Sequence, residues 1–256
     1  MNLIIDIGNT FTHFAMHNGK RLNLTENFHS VEFEMIKRYL TSIMKNQKVE
    51  AIGIASVSDK AQKLITHYIR TNFKVVPLII SSKTRLPISI KIKNSHTLGA
   101  DRICNAVAGN HLSTGKSNVL IADLGTANTF DLVLKNGNFI GGIIAPGILT
   151  SSMAMNHNTA KLPFLKYTDL SKNAVLIGNN SFEAIQSGLV NYMKFATEGI
   201  VAAVKKKYKG SLRVILSGGS AKLLINKVNF KYIYNENTVL EGINLIMEHQ
   251  KKLNKI

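Results

Sequence analysis

The segment Ile4-Ile5-Asp6-Ile7-Gly8-Asn9-Thr10-Phe11-Thr12 returns as Ile121-Ala122-Asp123-Leu124-Gly125-Thr126-Ala127-Asn128-Thr129, close to half the chain later. Asp, Gly and the second Thr stay in register. An apolar run ending in Asp-x-Gly-[Asn/Thr] reads as a buried strand that stops at a tight turn, exposing a carboxylate, a glycine and hydroxyls together. Two such turns facing each other would make a phosphate clamp. A repeat at this interval predicts that the 256 residues form two similar domains, 1–115 and 116–256. The polar break Ser113-Thr114-Gly115-Lys116-Ser117 marks the boundary between them.

The flanking pattern supports an α/β reading in both halves. In the first, strands at Asn2–Asp6 and Thr12–Met16 are closed by the hairpin signal Asn18-Gly19. An amphipathic helix then carries Ile36, Tyr39, Leu40, Ile43 and Met44, with Ser30 as its candidate cap. Strand-like Ala51–Val57, helical Asp59–Phe73 with Leu64, Ile65, Tyr68 and Ile69 on one face, and strand-like Val75–Ile80 follow. The second half repeats strand, turn, strand, hairpin and strand over Asn118–Ile144. After it come a long helix near Ser181–Lys207, a strand at Arg213–Leu216, and helices near Ser220–Ile225 and Thr238–Lys252.

Composition removes several classes of function. A single cysteine, Cys104, excludes an intramolecular disulfide and any multi-cysteine metal site. The N-terminus reaches Asp6 before an apolar signal core could form, and the most apolar later stretch, Phe139–Leu149, is too short to span a bilayer. The expectation is a cytoplasmic protein without a membrane partner. A net charge of +17 invites a nucleic-acid reading, yet the lysines are dispersed and the densest run, Lys205–Lys207, ends a predicted helix where cations are favoured. A solvated basic surface without a specific nucleic-acid site is expected, and it would help attract anionic small molecules.

Chemistry concentrates in a few short motifs. Asp6-x-Gly8-Asn9-Thr10 offers backbone N–H groups that can approach an anion and a carboxylate that can hold Mg²⁺ directly or through water. Gly99-Ala100-Asp101-Arg102 opens the helix Ile103–His111, either as a capping pair or as a general base beside a fork for a substrate carboxylate. Cys104 reads as a packed residue, because no His lies near it in sequence. The glycine-rich stretch Gly141–Gly147 suggests close approach of a ligand or another chain, and Ser217-Gly218-Gly219 a turn against which an adenine ring could lie. His13 and His157 sit near motifs without metal-ligand spacing.

Taken in order, these motifs resemble type III pantothenate kinases: Asp6-x-Gly-Asn-Thr10, Gly99-x-Asp101-Arg102, Asp123-x-Gly-Thr-Ala127 with Thr129, Gly141-Gly-x-Ile-x-Pro-Gly147, Thr159-Ala-x-Leu-Pro163 and Ser217-Gly-Gly219. The resemblance implies duplicated ribonuclease H-like domains of the acetate and sugar kinase, chaperone ATPase and actin superfamily, with ATP between them. It implies phosphorylation of pantothenate, a homodimer that completes the pantothenate site, and a need for Mg²⁺ or another divalent cation together with K⁺ or NH₄⁺. By matching position, Asp6, Ile7, Gly8, Asn9, Thr10, Phe11, Thr12 and His13 would form the ATP phosphate loop. Asp6 would lie near Mg²⁺, and Thr126 would touch ATP. Gly99, Ala100, Asp101 and Arg102 would contact pantothenate, with Asp101 as proton acceptor, and Asp123 would bind the monovalent cation. Ser181 stands where the family usually has a pantothenate-contacting Thr. Lys93–His96 replaces the aromatic residue and Pro often found before Gly99. The alternatives are another small-molecule kinase of the superfamily and a nucleic-acid-binding regulator that kept the fold.

Overall fold

The β-branched run around Asp6 favours extended backbone. In the computed structural model, which describes residues 1–253, it forms β1 (Asn2–Ile7). β1 pairs antiparallel with β2 (Phe11–His17), and β2 pairs antiparallel with β3 (Leu22–His29). On the other side β4 (Ala51–Ser56) and β5 (Leu78–Ile79) add in parallel, giving the order β3-β2-β1-β4-β5. The expected strand Val75–Ile80 thus shrinks to two residues. Helices α1 (Phe33–Asn46) and α2 (Asp59–Phe73) bury Ile36, Leu40, Ile65 and Ile69 in one core with Ile5, Phe14 and Ile54. Leu64, expected on that face of α2, is 41% exposed, so the buried stripe is narrower than the spacing suggests.

One local expectation is corrected here and one feature is added. Ser58, not foreseen, caps α2 by accepting from Ala61 N. Ser30 does not cap α1, whose N-cap position is Glu32 with no side-chain cap bond, and its hydroxyl is bound elsewhere.

β6 (Ser89–Ile90) and a 3₁₀ turn at Ser95–Thr97 lead to α3 (Ala100–Ser113). The second sheet is then built from β7 (Asn118–Leu124), β8 (Ala127–Val133), β9 (Asn138–Pro146), β10 (Leu212–Ser217) and β11 (Ile233–Tyr234). Its order is β11-β10-β7-β8-β9-β6. β7 pairs antiparallel with β8 and parallel with β10, as β1 does with β2 and β4. Asp6 and Asp123 are each the penultimate residue of the central strand, so the repeat of sequence is a repeat of topology.

Between β9 and β10 lie α4 (Ile148–Asn158), which carries no strong apolar periodicity, and α5 (Ser181–Lys207), capped by Asn180. The helix expected at Ser220–Ile225 is a 3₁₀ segment, Gly219–Leu223. The last helix, α6 (Thr238–Lys252), belongs with the first unit, which otherwise comprises Met1–Leu112 and Gly137–Phe139. The second unit comprises Ser113–Asn136 and Ile140–Asn237. A division at 115/116 places α6 in the second half, but its packing partners are in the first. Gly242 lies against the Cys104 backbone, where a Cβ would sit 2.1 Å from its carbonyl oxygen, and Asn2 donates to Asn244 at 3.0 Å. No helix among the described residues is long and apolar enough to cross a membrane.

Candidate active site

The first Asp-x-Gly turn joins β1 to β2. Gly8 N donates to Phe11 O at 2.9 Å, closing the turn and leaving Asn9, Thr10 and Phe11 exposed at its tip. Asp6 lies opposite His13 in the ladder, and both are half-buried. Burial holds the His13 imidazole below its usual pKa, which favours the neutral ring. Ile7 and Thr12 have no exposed side-chain surface, so of the eight expected loop residues these two can offer a ligand only backbone.

The Gly99–Arg102 motif falls at the start of α3 in the same unit. Ala100 is buried, and Asp101 stands inside the first helical turn, where its Oδ1 accepts the Arg102 backbone N–H at 2.7 Å. Burial raises the Asp101 pKa above the usual carboxylate value, opposed by the Arg102 N–H and guanidinium. Arg102 lies over the Phe139 ring, 5.8 Å from its centroid. Cys104 is fully buried, as its packed reading required. Burial pushes its thiol up, and the charges of Asp6 and Asp101 push it further. Both carboxylates therefore lie near one buried sulfur, so residues 95 positions apart in sequence share a neighbourhood.

In the second unit, Asp123, next to last in β7, lies beside Ser217 of β10. Gly218 closes over it with φ +82°, and a Cβ there would lie 2.5 Å from Asp123 Oδ1. Only glycine satisfies both the backbone angle and the space. Thr126 is exposed at the tip of the second turn. Its carbonyl accepts Gly147 N at 3.1 Å and the Thr150 hydroxyl at 2.7 Å, so the start of α4 braces this loop. Asn128 Nδ2 adds a bond to Pro146 O at 3.3 Å. Ser181 is the exposed first residue of α5, next to its cap. Tyr167 donates to Gly219 O at 2.7 Å and so fixes the Ser217–Gly219 turn.

Sequence reasoning missed Thr150, Tyr167 and Phe139 as neighbours of the loops, and it assigned Ser30 to a helix cap instead of to Gly8 O. A hydroxyl or ring far along the chain carries no local signal for the loop it will meet. Gly141, which has φ +115°, and Gly142 line a cavity of about 440 Å³ with Leu120, Phe130, Ile200 and Tyr208. Among the described residues no group of three or more His, Cys, Asp or Glu side chains is gathered as a metal site.

A family model for type III pantothenate kinase matches residues 2–203. The chain is 30% identical over 251 residues to a type III pantothenate kinase from a Sulfurihydrogenibium species, covering 95% of this chain and 98% of that protein. Among solved structures, a Baf family protein from Campylobacter jejuni superposes with a TM-score of 0.56 at 19% identity, covering 98% of this chain and 99% of that one. A ROK hexokinase from Thermus thermophilus gives 0.51 at 14% identity, covering 98% of both chains. At these identities the structural likeness speaks for the fold, that of duplicated ribonuclease H-like domains.

Proposed function

The chain belongs to the type III pantothenate kinase family, and on that premise we propose that Asp101 is the base in the transfer of a phosphoryl group from ATP to pantothenate. The enzyme carries out the first step of coenzyme A biosynthesis. The observation that carries the assignment is the neighbourhood of Asp6 and Asp101 around Cys104, with the Asp101 carboxyl raised by burial toward the range of a useful base.

In this reading the primary hydroxyl of pantothenate gives its proton to Asp101 as its oxygen bonds to the γ-phosphorus. The bond from that phosphorus to the bridging oxygen of ADP breaks, and ADP leaves. Arg102, supported by the face of Phe139, holds the pantothenate carboxylate. Gly99, the Ala100 backbone and the Ser181 hydroxyl complete the substrate contacts. Asn9, Thr10, Phe11 and Thr126 offer the exposed polar groups and backbone for ATP.

A divalent ion at Asp6 would complete its shell largely with water and nucleotide oxygens, since no group of three or more protein ligands is gathered among the described residues, a donor set that suits Mg²⁺. When bound it neutralises charge on the transferring phosphate. Asp123, closed in by Ser217 and Gly218, would hold K⁺ or NH₄⁺. A homodimer is supported by apolar side chains left exposed in and beside the Gly141–Pro163 stretch: Ile143, Ile144, Leu149, Met153 and Phe164. The family assignment favours neither the regulator nor a kinase of another small molecule.

An ADP-release assay with ATP and pantothenate, with and without K⁺ or NH₄⁺ and against a panel of sugars, tests the whole. Release that depends on pantothenate and is stimulated by the monovalent ion is expected. Equal release with a sugar would overturn the substrate assignment.

A further inference from the structure

Ser30 follows the strand β3 and reaches back to the first Asp-x-Gly turn. Its Oγ donates to Gly8 O at 2.8 Å, and its backbone N–H donates to Thr10 O at 2.9 Å. Its Oγ also lies 3.1 Å from Thr12 Oγ1. The direction of that third bond follows by elimination. A carbonyl can only accept, so the one Ser30 hydroxyl proton belongs to Gly8, and Thr12 must donate to Ser30. Thr12 is fully buried and Ser30 half-buried, so water competes little and each link polarises the next.

The consequence for the loop is geometric. In a planar trans peptide the carbonyl and the N–H point in opposite directions. With the Gly8 oxygen turned to Ser30, the Asn9 N–H is turned the other way. With the Thr10 oxygen held on the Ser30 side as well, two carbonyls that would repel a phosphate are removed from the face that presents this N–H. We infer that Ser30, backed by Thr12, is a positioning residue that orients the Gly8–Thr10 loop for the nucleotide phosphates. The role rests on the assignment of Asp6–His13 as the ATP loop. The second turn is braced by unrelated parts and at a different carbonyl: the Gly147 N–H and the Thr150 hydroxyl hold Thr126 O, the counterpart of Asn9 O.

The test uses the full chain with Ser30→Ala, Ser30→Thr, Thr12→Val and Asp6→Asn, measuring kcat, both KM values and thermal melting. Ser30→Ala should lower kcat/KM for ATP by roughly 10- to 100-fold while the pantothenate KM stays within about twofold. Ser30→Thr, which keeps the hydroxyl, should recover most of the loss. Thr12→Val should lose less, on the order of threefold, in the same parameter. A merely structural Ser30 would lower the melting temperature, and its alanine variant would keep wild-type kinetics for the folded fraction. That outcome, or a Ser30→Thr variant as impaired as Ser30→Ala, overturns the inference. If Ser30→Ala does not fold, wild-type ATP kinetics in Thr12→Val overturn it instead. An unaffected Asp6→Asn would sink the ATP-loop assignment itself, whereas a defective Asp6→Asn beside a normal Ser30→Ala would sink only the positioning role.

Discussion

Gly147 is the residue at which a single methyl group should do the most damage for the least change in backbone preference. Its φ of −75° and ψ of 170° suit any residue, so alanine meets no conformational penalty there. The obstacle is space. A Cβ would lie 2.0 Å from Gly125 O and 2.6 Å from Thr126 O, where real Cβ atoms essentially never come under 3.0 Å. Either the second loop or the start of α4 must give way by about 1 Å, and a displacement of that size in a positioning element costs about 10²-fold in rate. Gly147→Ala should therefore lower kcat/KM for ATP by about 10²-fold, with overpacking of about 1–3 kcal/mol visible in thermal melting. Gly147→Ser sharpens the comparison. Gly147 is the N-cap of α4, and capping preference alone makes Ser better there by a few tenths of a kcal/mol. If helix capping governed the position, Ser would be neutral or stabilising; the contact geometry requires it to be as harmful as Ala. Steady-state ADP release beside a melting curve decides the matter. ATP kinetics within about threefold of wild type in either variant would refute the reasoning.

Asp101→Asn should cut turnover by about 10²–10⁴-fold with little change in melting, and near-normal turnover would remove Asp101 from the mechanism. Because burial raises the Asp101 pKa and Arg102 opposes that rise, the acid limb of the kcat profile should lie above the position set by an ordinary aspartate. Arg102→Ala should move that limb to higher pH and raise the pantothenate KM; a shift to lower pH would contradict the electrostatics. Asp6→Ala should chiefly weaken the Mg²⁺ dependence and Asp123→Ala the K⁺ or NH₄⁺ activation, so parallel ion titrations showing the same loss in both would refute the division. The proposed dimer should persist at high salt while any oligonucleotide binding fades steeply, and light scattering that finds a monomer at micromolar concentration would count against the apolar interface.

The parts of the fold legible in sequence are those whose signal is local. α2 was legible because Ile65, Tyr68 and Ile69 recur with helical period, although the caps that start α2 and α5, Ser58 and Asn180, went unread. The two Asp-x-Gly turns were readable because a strand that stops at glycine is a local event, and its recurrence supplied the pairing logic of both sheets. α4 escaped because only Ile148 and Ser152 are buried, which leaves no apolar stripe for a periodicity argument to find. Ser30 misled for a related reason. A hydroxyl shortly before a helix satisfies the capping template, yet the return of β3 alongside β2 carries it to Gly8 instead. Of the candidate site, Asp6, Asp101 and Asp123 were readable because carboxylates beside glycine at element ends are conspicuous. Their environments were not, since the burial that raises Asp101 depends on packing around α3 that no short motif records.

The two loops show what a duplicated frame preserves and what it leaves free. Each keeps an Asp at the penultimate position of a central strand and a Gly two residues on, because the strand end and the tight turn depend on those residues themselves. The brace is under no such constraint. A backbone carbonyl can be held by any donor that reaches it, so a serine after β3 serves the first loop, and a backbone N–H with a threonine from α4 serves the second. Because the braces come from unrelated elements, each can be weakened without touching the other loop. Ser30→Ala and Gly147→Ala are therefore independent probes of two turns that share a sequence. The braces also act at different points, on the carbonyls flanking Asn9 in the first loop and on the carbonyl of Thr126 itself in the second, so the two tips can diverge independently.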